Sequence, residues 1–251
     1  MVQGDRAVSQ VRGRTGAASR SGLAGSHAES RGRGSRSGWL LLHDAGTSFE
    51  ALHNPPELWL ELLPAYAVLQ RDAVVPDTVP DRTVERWPEL YDDLVNSELP
   101  ITSSEVTRLR HFAPRFAERC AELASYGLPD TIQHDDLHHR NAYVDGRWLR
   151  IIDWGDSSRS HPFVSLVVTF RFLDERNRLP PDDPWFARLR DAYLEPWGAG
   201  LTEAFELAQH LGRFAHSFGW VALRRLLPEG ARAAYDVPFQ VVLRSALAHA
   251  A

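Results

Sequence analysis

Two short polar runs carry the residue types best suited to chemistry. One is His134-Asp135-Asp136-Leu137-His138-His139-Arg140-Asn141; the other, after a strand-like stretch, is Asp153-Trp154-Gly155-Asp156. Asp136, Asn141 and Asp153 together offer two carboxylates and an amide oxygen. These are hard ligands that suit Mg²⁺ better than a soft metal. A second carboxylate at such a place can orient a hydroxyl group or take its proton. An isolated Asp or Asn in a turn is ordinarily turn chemistry, so the functional reading rests on the three occurring together. His134, Asp135, Asp136, His138 and His139 crowd into six residues and also admit a metal-dependent hydrolase. That reading leaves Asn141 and Asp153 unexplained.

The elements around these runs must bring them together. Asn141 to Val144 and Trp148 to Ile152 flank Asp145-Gly146, a strong hairpin pattern. A hairpin returns its ends to one place, so Asp136, Asn141 and Asp153 should converge at one edge. Thr131 to Gln133 reads as a short strand. Further upstream, Trp39 to Leu42 has a buried-strand pattern and His43 to Gly46 a turn. Thr47-Ser48-Phe49-Glu50 has the form of a capping box that starts a helix. Pro55-Pro56 interrupts, and helical spacing resumes over 57–69. The proline-rich stretch 74–100 reads as loop and short helix. A firmer helix begins at Ser103 or Ser104, with Val106, Leu109, Ala113, Phe116, Cys120 and Leu123 on one apolar face. Pro114 can kink it, and Gly127 and Pro129 end it. After Val164 the chain returns to helices, with Phe205, Ala208, Leu211, Phe214, Phe218 and Val221 as a core stripe. The pattern predicts an α+β chain, mostly α, with one or two small β-hairpins and no internal repeat.

Asp-x-x-x-x-Asn, a hairpin and Asp-x-Gly resemble the catalytic half of the protein-kinase-like fold. The wording is most similar to the aminoglycoside phosphotransferase family, whose members read His-Gly-Asp-Leu-His-x-x-Asn, then Ile-Asp-Trp-Gly-Asp, then an Asp-Pro or His-Pro pair. The matches are His134, Asp136, Leu137, His138 and Asn141, then Ile152 to Asp156, then His161-Pro162. The resemblance spans roughly residues 39–251 and implies the kinase-like large lobe. It implies Asp136 as the catalytic base or hydroxyl-aligning group, with His134 and His138 bracing its loop. It also implies Asn141 and Asp153 as ligands of Mg²⁺, and backbone groups of Leu42, His43 and Asp44 against the adenine of ATP. His139 has no counterpart and is expected to be exposed. Asp156 is expected to be structural and His161-Pro162 a loop anchor. Asp135 stands where the family often has Gly, and its charge would tend to raise the proton affinity of neighbouring carboxylates. The family often has an Asp three residues after the His-Pro pair; here it is Ser165.

The composition sets limits on this reading. All 28 basic side chains counted as Lys or Arg are Arg. Mechanisms that need a lysine are therefore excluded, including the Walker A loop, Schiff-base chemistry and the kinase phosphate-binding lysine. Losing one such preorganised contact typically costs about 10²–10³ in rate. Residues 1–38 hold seven Arg, eight Gly, seven Ser and no aromatic residue, and such a segment is expected to be disordered. Residues 39–251 are then a kinase-like C-terminal lobe of net charge −10. That acidic body argues against nucleic-acid binding and is compatible with a cationic hydroxyl acceptor. Asp174, Glu175, Asp182 and Asp183 are acceptor-side candidates by charge alone, and a solvated face is their ordinary reading. No apolar run reaches the length of a membrane span, and the single cysteine, Cys120, favours a reducing cytoplasm. The small lobe that the resemblance places before the hinge is expected to be missing. The leading expectation is therefore an ATP- and Mg²⁺-dependent small-molecule phosphotransferase, truncated and of reduced activity. The alternative is a non-catalytic, pseudokinase-like binding protein.

Overall fold

The computed structural model describes residues 9–12 and 43–250. In chain order the elements are β1 (Ser9–Arg12), β2 (Thr47–Ser48), α1 (Pro56–Asp72), α2 (Trp87–Asn96), α3 (Ser103–Ser125), β3 (Thr131–Gln133), β4 (Ala142–Asp145), β5 (Trp148–Ile151), β6 (Ser158–Ser160), α4 (Leu166–Asn177), α5 (Pro184–Leu194), α6 (Thr202–Leu226) and α7 (Glu229–Leu247). Helix dominates, as the periodicities predict. The strand pattern at Trp39 to Leu42 lies outside the described residues. These residues fall into two compact units that alternate along the chain. The first draws on Met1–Ala73, Asp136–Ser157 and Val168–Ala199, the second on Val74–Asp135, Ser158–Val167 and Gly200–Ala251.

The first unit is built on an antiparallel sheet in the order β1-β5-β4-β2. The predicted hairpin forms its centre, with Ala142 opposite Ile151 and Asp145 opposite Trp148. Gly146 turns it at φ +58°, a left-handed value that favours glycine. β1 pairs along β5 from Ser9 opposite Ile151 to Arg12 opposite Trp148. Its four residues come from the segment expected to lack structure; the rest of that segment lies outside the described residues. An open sheet edge offers its N–H and C=O groups to the backbone of a strand whatever its side chains, so composition does not foretell such pairing.

The capping-box reading at Thr47 fails. Thr47 and Ser48 pair with Val144 and Tyr143 as a strand, and the Phe49 N–H donates to the Ala142 carbonyl at 2.9 Å. The Ser48 hydroxyl accepts from the Ala51 N–H at 3.1 Å, so it closes a turn instead of capping a helix. Gly46 permits the approach: it has φ +94°, and a Cβ there would sit 2.4 Å from the Val144 carbonyl oxygen. The helix begins later, with Pro56 in its first turn, where a missing N–H costs nothing. Below the sheet, Trp59 meets the edge of Phe49 at 5.1 Å, and its indole N–H donates to Asn54 Oδ1 at 2.8 Å. α1 packs on α5 through Tyr66 and Tyr193, and the Tyr193 hydroxyl donates to Gln70 Oε1 at 2.6 Å.

The second unit is a helical cluster of α2, α3, α6 and α7 with the small β3-β6 sheet. Its core is aromatic. Tyr91 stacks on Phe116 at 4.3 Å and Phe112 on Phe214 at 5.0 Å. All six residues of the predicted α6 stripe are buried; on α3, Leu109, Phe116, Cys120 and Leu123 are buried with Phe112 beside them, and Val106 and Ala113 are half-buried. α3 runs through Pro114 and starts from a capping box between Thr102 and Glu105.

Candidate functional site

The Asp136 loop is organised from its own residues outward. Leu137 is fully buried, and its carbonyl accepts from the Thr169 hydroxyl of α4 at 2.8 Å. This anchors the loop while its polar neighbours project elsewhere. The Asn141 amide nitrogen donates to the Asp136 carbonyl at 2.9 Å and to Asp136 Oδ2 at 3.3 Å. His138 Nε2 stands 3.3 Å from the same carboxylate oxygen. The other nitrogen of that ring, Nδ1, accepts from the Arg140 N–H at 3.1 Å. With Nδ1 accepting, the neutral ring carries its proton on Nε2 and donates it to Asp136. Two donors thus orient one carboxylate that is still about a third exposed.

Asp153 joins the group through the hairpin. The Ile152 N–H donates to the Asn141 carbonyl at 2.9 Å, which sets Asp153 one residue beyond a direct link to Asn141. Asp153 has φ +63° and ψ +58°. That left-handed conformation is sparsely used by residues other than glycine and is tolerated by Asp. The Asn141 side chain is thus bonded to Asp136, and its carbonyl is bonded to Ile152, the residue before Asp153. The Asn141 amide nitrogen is engaged with Asp136, and an amide oxygen and a carboxylate are hard donors of the kind Mg²⁺ takes.

The remaining expected residues fall in different places. His43 and Asp44 are exposed; Asp44 Oδ1 accepts from the Gly46 N–H at 2.9 Å and closes the expected turn. Leu42 lies outside the described residues. His134 follows β3 in the second unit and is fully buried. His139 corrects the expectation of exposure, since only 3% of its surface is open. Its ring packs on Phe172 at 5.1 Å, and burial holds its pKa below the ordinary value. His161 is the expected anchor. It accepts from the Phe163 N–H at 3.3 Å, and burial lowers it to about 3. Ser165 donates to Gln133 Oε1. Asp156 is exposed at the end of a short 3₁₀ turn. Of the acidic candidates, Asp183 caps α5 through the Trp185 N–H at 2.9 Å, and Glu175 faces Arg171 at 3.9 Å. Among the described residues, no group of three or more His, Cys, Asp or Glu side chains is placed to hold a metal ion.

Sequence reasoning missed three supports of the site. Thr169 is a lone polar residue inside Leu166 to Phe170, a signal that could have marked it. Phe172 backs both His138 and His139, at 4.8 and 5.1 Å. Glu50 binds the Arg140 guanidinium at 2.9 Å, and that bond holds the Glu50 carboxyl below its usual pKa. Neither of these carries a sequence signal, because both depend on tertiary placement.

The model of the phosphotransferase enzyme family matches residues 25–209. No curated protein matches the chain. Among solved structures, a choline/ethanolamine kinase family protein from Mesorhizobium loti is similar at 17% identity and TM-score 0.57, over 89% of this chain and 71% of that one. Choline kinase from Streptococcus pneumoniae is similar at 15% identity and TM-score 0.54, over 88% and 74%. An aminoglycoside phosphotransferase from Streptomyces rimosus, solved with ADP and streptomycin, is similar at 18% identity and TM-score 0.45, over 68% of each. At these identities the first two likenesses concern the fold. The element order and those two structures agree on a mostly helical kinase-like large lobe with small strands.

Proposed function

The chain belongs to the phosphotransferase enzyme family, and on that footing we propose that it moves the γ-phosphate of ATP onto a hydroxyl group of a small molecule. The observation that carries the reading is the Asp136 carboxylate held by the Asn141 amide at 3.3 Å and by His138 Nε2 at 3.3 Å. A carboxylate fixed in this way can align an acceptor hydroxyl and accept its proton. Asn141 and Asp153 would hold Mg²⁺, which supplies charge neutralisation for the nucleotide phosphates. Backbone groups at Leu42, His43 and Asp44 would meet the adenine. His138 keeps Asp136 oriented, and His134 braces the chain before it. Phosphoryl transfer asks mostly for positioning and electrostatics, which is what these residues offer.

A net −10 over residues 39–251 is compatible with a cationic acceptor, such as the amino alcohols choline and ethanolamine named for the structural neighbours. The buried single cysteine fits a reducing cytoplasm. One observation favours a second reading: with no lysine in the chain, the usual phosphate-gripping cation is missing, as in a non-catalytic binding protein. Calorimetric titration of the full chain with Mg·ATP tests the nucleotide site. The expected result is a saturable heat that Asp153→Asn abolishes. No heat up to millimolar Mg·ATP would overturn the nucleotide reading, and heat without transfer to any acceptor would favour the binding protein.

A further inference from the structure

Arg82 lies 53 residues before Asp135, yet its guanidinium Nη1 reaches Asp135 Oδ2 at 3.0 Å. The Ser158 hydroxyl donates to the same oxygen. Both side chains of the ion pair are only 17% exposed, so this is a largely desolvated contact and not a surface pair. The anchoring of Arg82 is unusually complete. Its N–H donates to the Arg159 carbonyl at 2.8 Å. Its carbonyl accepts from the Trp87 indole at 2.7 Å and the Ser160 hydroxyl at 2.6 Å. Gly219 of α6 faces the guanidinium, and a Cβ there would lie 3.2 Å from Nη1. Asp135 itself has φ +60°, a conformation that an Asp can hold but does not choose. It is also the covalent neighbour of Asp136.

We propose that Arg82 is a positioning residue of the candidate catalytic loop: with Ser158 it locks the Asp135 carboxylate, fixes the left-handed turn there, and so sets the direction in which the chain enters Asp136. The inference rests on the phosphotransferase reading for its consequence, but the lock itself is independent of activity. Removing Arg82 leaves a poorly solvated carboxylate without its guanidinium, and a rotated Asp135 carries Asp136 with it. In an Asp135→Gly background there is no carboxylate to hold, and glycine takes φ +60° readily, so Arg82 ceases to matter.

The test is a double-mutant cycle in the full chain with R82M, R82K, D135G and R82M/D135G. Two signals are read: phosphoryl transfer from Mg·ATP to choline, ethanolamine or streptomycin, and the backbone amide NMR resonances of Asp136, Leu137 and His138. R82M in the wild-type background is expected to lower kcat on the order of tenfold with KM for Mg·ATP little changed, because a displaced group loses alignment and not binding. The three amide resonances shift with it, and R82K recovers part of both effects. In the D135G background, adding R82M is expected to change either signal by less than about twofold in rate or not at all in resonance position. An R82M effect of equal size in both backgrounds, or no effect on the loop resonances in the wild-type background, overturns the proposal. If the wild-type chain transfers no phosphate to any acceptor, the phosphotransferase reading fails, and the resonances still decide for or against the lock.

Discussion

His138 reaches Asp136 with a nitrogen whose role is set by the opposite nitrogen of the same ring, which accepts from the Arg140 N–H. Another histidine is sensitive to pH. His161 is 2% exposed, its Nε2 is buried with no partner among the described residues, and burial lowers its pKa to about 3. The unfolded ring titrates near pH 6.5, so as pH falls the unfolded chain takes up the proton first. The stability is therefore complete above about pH 6.5 and is lost on the way to pH 3, by about 2 kcal/mol at pH 5. Urea unfolding of wild type and His161→Gln at pH 7.5 and pH 5 should show the wild type losing more stability on acidification. Parallel losses would contradict this. The legibility of the site differed by residue. The hairpin and the Asn141–Asp136 contact are legible because that spacing is local. His139 was misjudged, since its burial comes from Phe172 on α4, and nothing near position 139 encodes that.

At the scale of elements, local patterns succeeded where no distant partner competed. The α3 capping box is intact: Thr102 Oγ1 accepts from the Glu105 N–H at 3.3 Å, and Glu105 Oε2 accepts from the Thr102 N–H at 2.8 Å. The Arg244 guanidinium and these bonds together hold the Glu105 carboxyl down to about 2. Thr102→Ala should cost about 1 kcal/mol, read as a lower urea midpoint with an unchanged slope; an unchanged midpoint would mean the cap is dispensable. The same motif form at Thr47 gave a strand. The difference is the neighbour: β4 presents Ala142 and Val144 carbonyls to residues 47–49, and sheet pairing claimed the N–H groups that a helix would have left open. A capping box fixes a helix start only when no sheet edge is within reach.

At the scale of the molecule, periodicity identified the helices but not their grouping. The two units interleave three segments each, and nothing in a linear apolar stripe says which helices share a core. Tyr91, Phe112, Phe116 and Phe214 come from three helices and converge only in space. No helix among the described residues is long and apolar enough to cross a membrane. With every basic side chain an arginine, the proposed chemistry falls on the acidic and amide groups of one loop and one hairpin, and Asp136 is its centre. The most direct test is transfer of the labelled γ-phosphate of Mg·ATP by the full chain to choline, ethanolamine or streptomycin, beside Asp136→Asn. Labelled acceptor formed by the wild type, and a rate lower by about 10²–10⁴ in the variant, is the predicted result. Equal transfer by both chains, or no labelled product from the wild type, would contradict it.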